Sequence, residues 1–143
     1  MVFKIKRTKG ITGMGESNAE IARLVALAAC ESEQQRTGHA PKSVTAVLND
    51  DTLVITLRGV LSPVEQDLAK GPAGAAQVQE FHRQLFQNSG DSLRLEIEKI
   101  IGVRVREATS EVATETGTVV QVFLLADSVT AGIWSGSGPV GQR

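Results

Sequence analysis

The chain has no tyrosine, one tryptophan and four phenylalanines, so aromatic side chains make up only 3% of its 143 residues. Its core must therefore be aliphatic, with Leu, Val, Ile and Ala supplying burial at about 25 cal/mol per Å². A surplus of charge is missing too. Fifteen basic residues against sixteen acidic ones leave a formal charge of −1, which provides no overall field to hold nucleic acid or an anionic membrane. One cysteine, Cys30, excludes an internal disulfide. Its place in the run LVALAAC reads as a small buried residue, because a reactive thiol needs an accessible, electropositive setting. No segment approaches the roughly 20 apolar residues of a membrane span, and no apolar stretch of signal-peptide length follows the basic start MVFKIKRTKG. These absences predict a soluble, cytoplasmic chain with no direct membrane insertion, no nucleic-acid partner and no disulfide.

What is present, 41% hydrophobic and 22% charged residues over 143 positions, suits a single globular domain. We expect a flexible basic arm over 1–15, one domain over 16–127, and a disordered Gly/Ser tail over 128–143. The glycines of GITGMG do not make a phosphate loop, since no convincing strand precedes them and no Gly-Lys-Ser/Thr follows.

Ser17 and Glu20 have the Ser-x-x-Glu spacing of a capping box, which predicts a helix from Asn18 to about Thr37. Ile21, Leu24, Val25 and Ala28 would form its apolar stripe, and Gly38 its end. Two apolar runs follow, Ser43 to Leu48 and Thr52 to Gly59, joined by Asn49-Asp50-Asp51, residues that tolerate positive φ in hairpin turns. Period-two alternation places Val44, Ala46 and Leu48 on one face, and Leu53, Ile55 and Leu57 on one face, with Thr56 and Arg58 opposite. Ser62-Pro63-Val64-Glu65 is a second capping box with proline at the first helical position, opening a short helix that Gly71-Pro72 breaks.

Val78, Phe81, Leu85, Leu93, Ile97, Ile100 and Ile101 keep helical phase, which reads as one long, kinked helix; Asp91 capping a separate helix is the alternative. Gly102 closes it. Val103 to Ser110 and Thr118 to Ala126 complete a second hairpin. The expected fold is α+β: a four-stranded antiparallel sheet of two hairpins with helices on one face, in the order α-β-β-α-α-β-β.

The segments RTGHAPKSVTAVLNDDTLVITLRGVLSPVEQDLA, EFHRQLFQ and LRLEIEKIIGVRV together resemble the MpsC family of small bacterial domains. The motif elements are Arg36-x-Gly38-x-x-Pro41, Leu57-x-Gly59-Val60-Leu61-x-x-x-Glu65, and the helix end from Glu96 to Gly102, and the resemblance spans about Glu16 to Ala126. That family is named for a component of a sodium-translocating, membrane-potential-generating system. The resemblance implies an association with ion or inorganic-carbon uptake, and carries no catalytic residue onto this chain.

The residues themselves offer little chemistry. His39 and His82, even with Asp50, Asp51 and Glu80, lack the clustered spacing of metal ligands, so no metal and no cofactor is expected. His82-Arg83 reads as the polar face of the long helix, and His39 as a helix-end residue meeting free carbonyls. No serine has a Gly-x-Ser-x-Gly setting. Arg36, His39, Arg58 and Ser62 form a candidate small-anion site, since a guanidinium beside a helix N-terminus suits bicarbonate, phosphate or a nucleotide. Two functions follow: a non-enzymatic accessory or regulatory domain that pairs with itself and with a membrane transport protein, or an anion sensor; an enzyme comes third. The apolar residues on both faces of the last strand point to a homodimer using that strand or the long helix.

Overall fold

A computed structural model describes residues 2–6 and 15–127. The residues of the expected arm over 7–14 and the expected tail over 128–143 lie outside them. The elements run β1 (Val2–Lys6), α1 (Gly15–Thr37), β2 (Ser43–Asn49), β3 (Thr52–Arg58), α2 (Pro63–Leu68), α3 (Pro72–Ser89), α4 (Asp91–Ile101), β4 (Val105–Ala113) and β5 (Thr118–Leu125). Four strands pair antiparallel in one open sheet with helices packed against it, and after β1 the expected α-β-β-α-α-β-β order holds with the expected long helix divided into α3 and α4.

The sheet has a fifth strand. Val2–Lys6, expected in a flexible arm, pairs in parallel with β2, giving the order β1-β2-β3-β5-β4. Phe3-Lys4-Ile5-Lys6 alternates at period two, a signal too short to separate from a basic arm. The two hairpins meet through their second strands, β3 beside β5.

Hairpin alternation is obeyed: Val44, Ala46, Leu48, Leu53, Ile55 and Leu57 are all buried, and they meet Phe123 and Leu125 of β5 in the core. Asp50 takes the positive φ of 57° in the turn. Gly38 and Gly102 close α1 and α4 at φ 77° and 83°, their amides bonding Gln34 and Glu98 carbonyls at 2.7 Å. Gly59 has φ 66°, and a Cβ there would fall 2.6 Å from the Lys42 side chain, so this motif glycine is required twice over.

Three helix readings change. α1 starts at Gly15, so Ser17 lies inside the helix and does not cap it, while Glu20 pairs with Arg23 at 2.6 Å. Its buried face is Ala22, Val25, Ala26, Ala29, Cys30 and Glu33, rotated by one residue from the expected stripe; Leu24 is 37% exposed. α1 packs against β1, β2 and α4. The long helix is two helices meeting at Gly90, whose carbonyl accepts from Arg94 N at 2.9 Å, and Asp91 is the first residue of α4, not its cap. On α3 the buried positions are Val78 and His82, and Phe81 is 50% exposed, so His82 is not on the polar face. α3 covers the β4 edge, where Gln79 Nε2 donates to the Val112 carbonyl at 3.3 Å. Glu98 finishes α4 by accepting the Val105 amide at 2.8 Å, which fixes the start of β4.

Candidate functional site

The C-terminal turns of α1, the start of α2 and the middle of α3 converge on a cluster of ionisable side chains. Ser62 caps α2: its Oγ accepts from Glu65 N at 3.3 Å, and Glu65 Oε1 accepts from Ser62 N at 2.9 Å and Ser62 Oγ at 3.1 Å. The other carboxylate oxygen, Glu65 Oε2, lies 2.8 Å from His82 Nε2. Since a carboxylate only accepts, this contact places a proton on Nε2. His82 Nδ1 faces Glu33 Oε2 at 3.9 Å, beyond hydrogen-bond reach. Glu33 Oε1 accepts from Arg36 at 3.0 Å, and Arg36 also donates to Ser32 Oγ at 3.0 Å and lies 5.7 Å from the centre of the Phe86 ring. Phe86 in turn meets Phe123 edge-on at 6.0 Å, so the cluster is seated on the core.

Burial sets its energetics. The Glu33, His82 and Arg36 side chains are 3%, 5% and 8% exposed, and Glu65 is 17% exposed. Ions taken this far out of water are retained only when paired and hydrogen-bonded, and removing one partner is costly. Burial pushes the Glu65 carboxyl up, but the Ser62 amide and then His82 outweigh it and hold the group below its ordinary value of 4.5. Glu33 Oε2 has no hydrogen-bond partner. Gln121 Oε1 on β5 has none either. Burial, followed by the Glu31 charge, pushes the Cys30 thiol up, consistent with the inert residue read from the sequence.

The four residues of the proposed anion site do not converge. Arg36 and Ser62 join the buried cluster, where both are already engaged. His39 Nε2 lies 3.2 Å from the Gly59 carbonyl, so it meets a carbonyl of the strand end and not of its own helix. Arg58 donates to Thr45 Oγ1 at 3.3 Å, on the sheet face opposite the one that Leu57 and Val44 bury. A hollow of about 510 Å³ beside Gly59 and Gly117 does carry two basic residues, Lys42 and Lys70, with Gln66 and Thr116.

The arrangement is poorly suited to a nucleophile relay, because Ser62 Oγ contacts Glu65 and not the histidine that would serve as its base. Sequence reading missed Glu33 and His82. Glu33 was findable, since it continues the buried series of Ala22, Ala26 and Ala29 at steps of three and four. His82 was findable from Val78, four residues before it, had Phe81 not been counted as core. Among the described residues no group of three His, Cys, Asp or Glu side chains could hold a metal ion, and no helix is long and apolar enough to cross a membrane.

Comparison with known proteins returns one family model, described as the Na+-translocating membrane potential-generating system (MpsC), which matches residues 17–127. The chain is also similar to the uncharacterized protein YbcI of Bacillus subtilis (strain 168), 23% identical over 116 residues that span 81% of this chain and 94% of that protein. No solved structure matches.

Proposed function

Since the chain belongs to the MpsC family of the Na+-translocating membrane potential-generating system, we propose that it is a non-enzymatic accessory or regulatory domain of that system. It works by association with a membrane transport protein and sits on the cytoplasmic side. The observation that carries this reading is the use to which the ionisable residues are put. His82, Glu65, Glu33 and Arg36 join α1, α2 and α3 to one another, and His39 latches the end of α1 to the end of β3. Side chains that turn over a substrate need access to it, whereas these are spent on holding surfaces in place.

An anion sensor has less support, because Arg36 and Arg58 lie on opposite sides of the sheet. The test is genetic and electrical: delete the gene in its host and follow sodium-dependent membrane potential with a voltage-sensitive dye. The accessory reading expects a reduced potential, restored when the chain is supplied again and accompanied by recovery of the chain with the membrane fraction. An unchanged potential in the deletion strain overturns it.

A further inference from the structure

The buried cluster is short of one donor and one positive charge. Glu33 Oε1 accepts from Arg36, but the buried Oε2 accepts from nothing and faces His82 Nδ1 at 3.9 Å. With a single proton on Nε2, where Glu65 requires it, His82 would turn an Nδ1 lone pair toward that oxygen and set two buried acceptors against each other. The charge count fails at the same place. Two carboxyl groups, Glu33 and Glu65, are matched by one guanidinium, Arg36, and an unpaired buried ion is costly to keep. No other described side chain makes up the difference. On α3, Arg83 is turned to Glu80 and Glu111 at the exposed edge, and on α2, Lys70 pairs with Asp67 in solvent. On α1, Glu31 is exposed, His39 is engaged at the Gly59 carbonyl, and Cys30 has its thiol pushed up by burial and so adds no charge. Among the described residues, the buried ones of β2, β3, β4, β5 and α4 include none that titrates.

We infer that the cluster holds a second imidazole proton, on His82 Nδ1 and directed at Glu33 Oε2, which makes it a proton-loaded clasp between α1, α2 and α3. That proton supplies the missing donor and balances the charge at once. A water donating to both atoms would meet the first need and not the second. Release of the proton leaves a buried carboxylate uncompensated, so the clasp weakens as pH rises. The sign follows from linkage. Above about pH 6.5, the ordinary value for histidine, the folded chain binds one proton more than the unfolded chain, so stability falls with rising pH until the proton leaves the fold. The element most affected is α2, which buries no residue of its own and reaches α3 through Glu65 and His82. The fold thus carries a pH-sensitive switch.

This inference does not rest on the transport role proposed above. Its test uses the full 143-residue chain, labelled with 15N-histidine, in NMR at pH about 8, where the same chain unfolded in urea carries neutral imidazoles. Folded His82, assigned through its backbone, should show a hydrogen on both ring nitrogens. Glu33→Gln should return Nδ1 to the unprotonated range, because the new side-chain amide can donate to that nitrogen while its oxygen keeps Arg36. The thermal midpoint of the wild type should fall by several degrees between pH about 6.5 and about 8.5, and that of Glu33→Gln by much less. An unprotonated Nδ1 in the wild type overturns the inference by itself, so the test stands even where Glu33→Gln does not fold. A hydrogen on Nδ1 that persists in folded Glu33→Gln, or equal pH dependence of the two midpoints, overturns it as well.

Discussion

His82 Nε2 lies 2.8 Å from Glu65 Oε2, joining the middle of α3 to the capping box that begins α2. The contact matters because α2 has no buried residue of its own, and Val64 and Leu68 on it are 76% and 47% exposed. A six-residue helix without a hydrophobic anchor is held by its cap and by this pair.

The cap can be weighed separately. Ser62→Ala removes the hydroxyl that accepts from Glu65 N and should cost about 1 kcal/mol in chemical denaturation. A loss below about 0.3 kcal/mol would mean that α2 does not depend on its cap.

The lowered Glu65 pKa makes an acid-side prediction. A group whose folded value is depressed stabilises the fold above its unfolded value, here the ordinary 4.5, and loses that contribution as pH falls through the folded value. The stability gap between wild type and Glu65→Gln should therefore shrink as pH falls below about 4.5. A gap that stays constant down to pH 3 would contradict the assignment.

Leu57 is fully buried and Thr56, its neighbour, lies on the open face. Leu57→Asp should abolish soluble folded protein, since an unpaired buried carboxylate costs several kcal/mol of a typical 5–15 kcal/mol stability. Thr56→Asp should still give soluble folded protein. Equal loss of soluble protein for both would refute the register.

Cys30, buried on α1 with its thiol pushed up, should react slowly with a disulfide reagent in native buffer and stoichiometrically in denaturant. Rapid native labelling would place it at the surface.

The parts legible in the sequence were those set by short-range chemistry. The hairpin turn at Asp50, the proline-led capping box at Ser62 and the glycine stops at Gly38 and Gly102 each follow from a local backbone requirement. The alternation of β2 and β3 was equally plain, because one-sided burial repeats every second residue. Pairings between distant segments were not legible. Neither the parallel addition of Val2–Lys6 nor the placement of β5 against β3 leaves a local signature. Helix phase failed where side-chain bulk misled: Leu24 and Phe81 are large and exposed, whereas Ala22 and His82 beside them are buried. The site was hidden for the same reason, since Glu33 and His82 are charged or titratable residues at positions that periodicity alone marks as interior.

The account turns on His82 and Glu65 acting as a structural pair, and a double-mutant cycle measures that directly. His82→Gln, Glu65→Gln and the double variant are to be denatured chemically at neutral pH beside the wild type. Breaking a buried pair from one side typically costs about 3–5 kcal/mol, and groups in direct contact couple by about 0.5–3 kcal/mol. The account predicts that each single variant is destabilised and that the double loses less than the sum of the two by at least about 1 kcal/mol. Losses that add to within about 0.3 kcal/mol would show that the two side chains act independently and would contradict it.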